Sequence, residues 1–185
     1  MFDFVTTEGL FASARGASAR KEIVNLSEGG IIMEIERKFV PVRVPEDLAK
    51  FPSVRMVQGY LCTDPVVRVR QENDAYVLTY KGAGLMAHEE HNLPLTEEAF
   101  RHLLEKCDGR ILRKIRYKMP VEGYPSLTAE LDIFSGELEG LVILEVEFPS
   151  VEEALSFDPP AWYGKDVTED PAYHNSAISR GADPR

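Results

Sequence analysis

The sequence predicts a mainly β domain of α+β type, an antiparallel barrel of eight strands with a few helices outside it. Three observations carry that expectation. From about residue 33, short segments alternate apolar and polar residues with period two. Gly, Pro and Asp clusters punctuate those segments. Only three brief helical signatures interrupt them, and many strands with few helices are the mark of a barrel carrying its helices on the outside.

In chain order, residues 1–32 come first and look unlike the rest. Stretches such as Ala12-Ser13-Ala14-Arg15-Gly16-Ala17-Ser18-Ala19-Arg20 sustain neither a strand nor a helix period, and no signal-peptide core is present. Asp3, Glu8 and Glu22 argue against a transit peptide. We read this segment as an extension or translated leader with little stable structure and Met33 as the start of the domain. Ser27-Glu28-Gly29-Gly30 is encodable by a purine-rich ribosome-binding stretch just upstream. The domain then spans 33–180, and 181–185 is a tail. Strands are expected over 33–40, 54–63, 66–72, 75–82, 87–93, 110–119, 127–134 and 141–149. Thr96 caps a predicted helix through Cys107, whose Phe100, Leu103, Leu104 and Cys107 share one face. Ser150 and Glu153 form a capping box, and Asp170-Pro171 places a cap and an N1 proline before a last short turn.

Composition narrows the function. The 185-residue chain carries a formal net charge of −10, and a phosphate backbone selects basic surfaces, so nucleic-acid binding is not expected as the main task. An acidic protein can still hold a strongly anionic ligand where its basic groups converge and metal ions cover its acids. The two cysteines, Cys62 and Cys107, are not in a C-x-x-C pair and read as free thiols. No apolar run approaches the roughly 18 residues that cross a bilayer. The expected compartment is the cytoplasm, with no membrane partner.

The charges on the predicted strands alternate. Side chains at i, i+2 and i+4 share a face, so Glu34, Glu36 and Lys38 point together. The same holds for Arg68 with Arg70, Thr79 with Lys81, Lys114 with Arg116, Glu130 with Asp132, and Glu145 with Glu147. For any single strand the simpler account is a half-buried sheet with charge facing water. Period alone leaves open whether the charged face is the outside of the barrel or its lumen. Segregation of sign favours the lumen: some strands carry paired cations and others paired acids, whereas a solvated face gains by mixing them. A basic wall would hold phosphate oxygens, and an acidic wall would hold divalent ions bridging to the same phosphates.

Glu34-Ile35-Glu36-Arg37-Lys38 resembles the E-x-E-x-K signature of the CYTH, or triphosphate tunnel metalloenzyme, superfamily. The resemblance continues in order through Gln58-Gly59-Tyr60-Leu61, Val67-Arg68-Val69-Arg70 and Leu78-Thr79-Tyr80-Lys81-Gly82. It resumes at Lys114-Ile115-Arg116-Tyr117, Glu130-Leu131-Asp132-Ile133-Phe134 and Glu139 to Glu147. It closes with Pro160-Ala161-Trp162-Tyr163-Gly164 and the run from Val167 to Ser176. Nearly everything from Met33 to about Ser179 is covered.

The resemblance implies an eight-stranded tunnel with charged side chains projecting inward. By similarity, Glu34, Glu36, Glu90, Glu130, Asp132, Glu145 and Glu147 would bind Mg²⁺ or Mn²⁺. Lys38, Arg68, Arg70, Lys81, Lys114 and Arg116 would hold the phosphates, with Glu36, Lys38, Lys81 and Arg116 as the catalytic candidates. The segment His88-Glu89-Glu90-His91-Asn92-Leu93-Pro94 departs from the pattern, since Asn92 stands where a carboxylate is often found and His88 where an arginine is. His91, His102 and His174 are read as surface or packing residues. Trp162 would anchor the C-terminal segment, while Tyr173, Asn175 and, more weakly, Lys165 could close one tunnel end. The activity implied is metal-dependent hydrolysis of inorganic triphosphate, a related polyphosphate or a nucleoside triphosphate, without a covalent nucleophile. The superfamily's other activities are adenylate cyclisation and thiamine-triphosphate hydrolysis; a non-catalytic polyphosphate or nucleotide sensor is the reading outside enzymes. A homodimer is compatible with the resemblance.

Overall fold

The computed structural model describes residues 32–82 and 87–185, with the backbone alone for 32–33 and 87–89. The expectation for the leader and the placing of the His88 side chain therefore lie outside the described residues. Nine strands are present among them: β1 (Ile32–Val40), β2 (Ser53–Thr63), β3 (Val66–Glu72), β4 (Ala75–Lys81), β5 (Ala87–Pro94), β6 (Asp108–Val121), β7 (Tyr124–Phe134), β8 (Val142–Glu147) and β9 (Lys165–Asp166). Three α-helices join them: α1 (Glu97–Leu104), α2 (Val151–Ser156) and α3 (Asn175–Ser179).

The strands pair in the order β5-β4-β3-β2-β6-β7-β8-β1-β9, and β1 also pairs with β5. Every ladder is antiparallel. The first half of β1 meets β5 over Ile32–Ile35, while Glu36–Phe39 meets β8 on the other edge. Neighbour relations thus run through eight strands and return to their start along that short β1–β5 ladder, as the barrel reading expects. β9 is a ninth, two-residue strand that the pattern could not show, because two residues carry no period.

The other differences are local. The β6–β7 hairpin extends to Val121 and Tyr124 around a tight Glu122-Gly123 turn in which Gly123 adopts φ of 79°. Buried Met119, Val121 and Leu127 keep this extension packed, so it continues past the predicted ends. Helix α1 ends at Leu104 rather than Cys107; Lys106 and Cys107 turn back onto the carbonyls of Leu103 and Leu104 with tighter three-residue spacing. Its Thr96 cap and the Ser150 cap of α2 accept from the N–H of Ala99 and Glu153 respectively.

The main hydrophobic core lies outside the barrel. Ile35 and Phe39 of β1, Ala129 and Leu131 of β7, and Leu144 and Val146 of β8 point away from the charged face. Ala154 of α2 together with Phe157 and Tyr163 covers them. Phe157 makes edge contacts with Phe39, Tyr124 and Phe148. Trp162 packs at the margin of this cluster. Burying a side chain such as Leu131 or Leu144 stabilises the fold by roughly 1.5–3 kcal/mol, so this outer layer supports a barrel whose inside is expensive.

A second cluster fills one end of the lumen. Tyr60, Leu112, Phe134 and Ile143 lie opposite Arg68, Gln58, Lys114 and Asp132 in the ladders, and so share their inward face. Leu138, Leu141 and Ile178 of α3 pack onto them, with Tyr173 beside. Gly109 permits this closure: it sits at φ of 70°, and a Cβ there would lie 2.3 Å from the Ser179 carbonyl oxygen.

Candidate active site

The ladders bring the inward charges into two arcs. Lys81 of β4, Arg68 and Arg70 of β3, and Lys114, Arg116 and Lys118 of β6 line one side, with neutral Gln58 and Tyr60 of β2 between β3 and β6. Glu130 and Asp132 of β7, Glu145 and Glu147 of β8, Glu34 and Glu36 of β1, and Glu90 of β5 line the other. Lys38 is the cation on the acidic arc. The two walls inferred from sign segregation therefore exist as contiguous runs of strands.

Where the arcs adjoin, the charges neutralise one another. At the β6–β7 seam, Lys114 bonds Asp132, and Arg116 grips Asp132 with Nε at 2.7 Å and Nη2 at 2.6 Å while also reaching Glu130 and Glu145. Lys118 adds a 3.2 Å contact to Glu130. At the other seam, Lys81 pairs with Glu34 and lies 2.7 Å from Glu90. Lys38 bridges Glu145 and, at 2.8 Å, Glu36.

The proton affinities follow from these contacts. Burial opposes the charge on Arg116, yet Asp132, Glu130 and Glu145 outweigh it and hold the guanidinium firmly protonated. Burial likewise works against Lys38, and Glu145 and Glu36 overcome it, so its ammonium is held above the ordinary lysine range. Burial would raise the Glu145 carboxyl, but Lys38, Arg116 and Lys114 keep it well below the usual value. Lys114 goes the other way: burial, with Arg116 nearby, lowers it despite Asp132.

Away from the seams the charge is less compensated. Arg68 and Arg70 stand at the centre of the basic arc. Burial and then Arg68 lower Arg70, with Glu72 opposing. The buried Nε of Arg68 has no hydrogen-bond partner, and Arg68 comes only to 3.9 Å from Glu90. Arg70 Nε lies 2.7 Å from Glu72 but off the hydrogen-bonding direction. Gln58 Oε1 is also buried without a donor, while its amide donates to Tyr60 at 3.2 Å. At the centre of the acidic arc, Glu147 is open to solvent yet hemmed in by protein. That burial and the charges of Glu130, Glu34 and Glu36 push its carboxyl up to about 7, against the pull of Arg116.

This distribution sorts the candidates. Glu34, Glu36 and Glu130 all act on Glu147. Asp132 and Glu145 are committed to lysine and arginine deeper in the lumen, and Glu90 belongs to the Lys81 seam. Sequence reasoning placed Thr79 on the charged face with Lys81 but passed over Gln58 and Tyr60 as lining residues, because they share the period of the inward face but carry no charge to mark it. Asn92 accepts from the Thr79 hydroxyl at 2.6 Å and donates to Glu90 at 2.6 Å, so it is an amide link that orients Glu90. His174 sets Nε2 3.3 Å from the Thr168 carbonyl, and burial with Lys38 nearby lowers its pKa.

The donor chemistry suits a hard divalent ion. All candidate ligands are carboxylates, and mutual repulsion at Glu147 is what such an ion relieves. Among the described residues no three acids or histidines stand as a ready-made cage; Glu34 is paired with Lys81, Glu36 with Lys38, and Glu130 with Arg116 and Lys118.

Comparisons with known proteins identify the family. No family model matches the chain. An inorganic triphosphatase of Nitrosomonas europaea is 37% identical over 151 residues, 79% of this chain and 96% of that protein. An inorganic triphosphatase of Acetivibrio thermocellus is 43% identical over 153 residues, 78% of this chain and 92% of that protein. The chain belongs to the inorganic triphosphatase family. The fold agrees: a crystal structure of an inorganic triphosphatase superposes with a TM-score of 0.63 at 34% identity, covering 84% of this chain and 99% of that one. Among the described residues no helix is long and apolar enough to cross a membrane.

Proposed function

We propose that this chain hydrolyses the terminal phosphoanhydride of inorganic triphosphate in the charged lumen, with Mg²⁺ or Mn²⁺ on the acidic arc. The observation that carries the reading is the contrast between tightly paired seams and arc centres whose charges are more loosely met. Arg68 and Arg70 offer donors to an extended polyanion, and across the lumen Glu147 sits among acids that call for a cation. Glu34, Glu130 and Glu147, with Glu36 beside them, would hold the metal ion, which when bound offsets phosphate charge and activates water.

Phosphoryl transfer depends on position and charge. Arg68, Arg70 and Lys114 hold phosphate oxygens along the basic arc and keep the substrate extended. Arg116 and Lys81, at the two seams, meet the negative charge that builds on the equatorial and bridging oxygens. Glu36, already paired with Lys38, orients the attacking water and takes its proton as the bridging oxygen departs with diphosphate. Lys38 stabilises that carboxylate and the oxygens beside it. No covalent intermediate is required; Cys62 is exposed, and Cys107 donates to the Leu103 carbonyl on the outer side of the sheet. The reading carries with it a cytoplasmic location, in which both thiols stay reduced.

The test is phosphate release by the full chain from triphosphate, ATP and pyrophosphate, with Mg²⁺ or Mn²⁺ and with chelator. Metal-dependent turnover of triphosphate that is lost in Glu36→Gln and Lys81→Ala is the expected result. Cyclic nucleotide from ATP would replace this reading with the cyclase, and tight binding without turnover would replace it with a sensor.

A further inference from the structure

Lys38 is the cation that stands among the acids, and the backbone that carries it has an unusual neighbour. One edge of β1 is covered by β8 over Glu36–Phe39. On the other edge β5 covers only Ile32–Ile35, and β9 touches Phe39 and Val40. Between those ladders the Lys38 N–H and C=O would be left at a bare strand edge. Instead, Lys38 N donates to the Thr168 hydroxyl at 3.0 Å, and Val167 N donates to the Lys38 carbonyl at 2.9 Å.

Thr168 is 4% exposed, and its hydroxyl is used in both directions. While accepting from Lys38 it donates to Asp166 Oδ1 at 2.6 Å, and its own N–H donates to the same oxygen at 2.9 Å. Asp166 Oδ2 in turn accepts from Arg37 Nε at 3.1 Å. Arg37 also donates to the carbonyls of Ala154 and Phe157, at 3.0 and 2.9 Å, which ties the chain to α2 and the outer core. His174 closes onto the Thr168 carbonyl from the side of α3. The approach is tight at its start: Gly164 sits at φ of 72°, and a Cβ there would lie 2.3 Å from the Val40 carbonyl oxygen. A continuous set of polar contacts therefore runs from the outer core to the backbone of a lumen lysine.

We propose that Thr168, oriented by Asp166, is a positioning residue that fixes Lys38 between the phosphate-binding and metal-binding sides of the lumen. It rests on the triphosphatase reading above. Thr168 touches neither the reacting atoms nor their ligands; it sets the height and tilt of the strand segment from which Lys38 reaches Glu36 and Glu145. Small displacements of a positioned group cost rate far more than binding, roughly a hundred-fold for an ångström-scale shift.

The experiment compares full-length wild type with Thr168→Val, Thr168→Ser and Asp166→Ala, each assayed on triphosphate with Mg²⁺ well below its own melting midpoint. The expected result is a kcat lower by about a hundred-fold in Thr168→Val with a much smaller change in KM. Recovery to within a few-fold in Thr168→Ser is expected, with an intermediate loss in Asp166→Ala. A Thr168→Val enzyme with wild-type kcat, or a serine variant as impaired as the valine one, overturns the inference. If the valine variant does not fold, a folded Asp166→Ala enzyme with unchanged kcat does so. A wild type inactive on triphosphate would break the parent reading instead. The lysine ammonium NMR signal of Lys38, assigned by its loss in Lys38→Met, then decides. It should shift in Thr168→Val and return in Thr168→Ser, and an unchanged signal overturns the positioning role.

Discussion

The seams and the centres of the two charged arcs are built from the same residue types and behave as opposites. At the seams, Arg116, Lys114 and Lys81 each find carboxylates and are held in place by them, as Lys38 is within the acidic arc. At the centres, Arg68 retains a buried donor without a partner, and Glu147 is pushed up by its fellow acids. The difference lies in which opposite charges each side chain reaches: Glu145 and Glu147 share β8, yet Glu145 meets Lys38 and Arg116 while Glu147 faces other acids. Seams tie neighbouring strands together through ion pairs, and the centres are where, on the proposed reading, a polyanion and its counter-cation would bind.

The harshest way to break this comparison is to attack a seam and a centre with equal force. Arg116→Ala strands Asp132, Glu130 and Glu145 without their shared guanidinium, and losing one member of a buried ion pair costs about 3–5 kcal/mol. Urea unfolding should show a loss of that size, with activity abolished as well. Arg68→Met removes a cation whose nearest acid, Glu90, keeps Lys81. Its stability should stay within about 1 kcal/mol of wild type while kcat/KM on triphosphate falls by roughly a hundred-fold or more. Equal stability losses in the two variants would dissolve the distinction between seam and centre.

Much of this was legible in the sequence, and the illegible remainder has physical causes. Period-two alternation located eight strands and put each charged residue on the correct side of its own strand. Sign segregation gave the two walls. What alternation could not supply was strand order, so it could not say that Arg116 would bond three carboxylates while Arg68 would come only to 3.9 Å from Glu90. Neutral Gln58 and Tyr60 share the inward face but leave no charge signal, and β9 is too short to have a period. The Lys38–Thr168 contact joins residues far apart in the chain through a backbone N–H, and no side-chain pattern reports such a bond.

A gentler probe adds the missing cation at the acidic centre. A divalent ion that binds only the folded protein at a hundred times its Kd stabilises it by about 2.7 kcal/mol. Thermal melts with Mg²⁺ against chelator should therefore show a clear upward shift in wild type. In Glu147→Gln most of the shift should vanish, because the variant removes both the repulsion and a ligand. A full Mg²⁺ shift in that variant would place the ion elsewhere on the arc.

The same carboxylate gives a pH test. Its folded value, about 7, lies above its ordinary 4.5. The folded state therefore holds a proton that the unfolded state has released, and Glu147 makes the protein less stable as pH rises between those values. In chelator, the Glu147→Gln variant should lose less stability than wild type from pH 5 to pH 8, and parallel curves for the two would remove Glu147 from the strained centre.

The finest test concerns where the acidic arc ends. Asn92 accepts from Thr79 and donates to Glu90, so an amide terminates the run of carboxylates on β5. Asn92→Asp keeps the acceptor for Thr79 and replaces the donor with a second charge facing Glu90. Without metal the change should cost about 2 kcal/mol, the order expected when a hydrogen bond to a charged group is lost. With Mg²⁺ the deficit should shrink, since added carboxylate oxygens favour a hard cation. If the aspartate variant shows the same deficit with and without Mg²⁺, the acids that serve the cation stop at β1. Asn92 then isolates Glu90 as the partner of Lys81, which sharpens the division between a seam and a centre at the β5 end of the acidic arc.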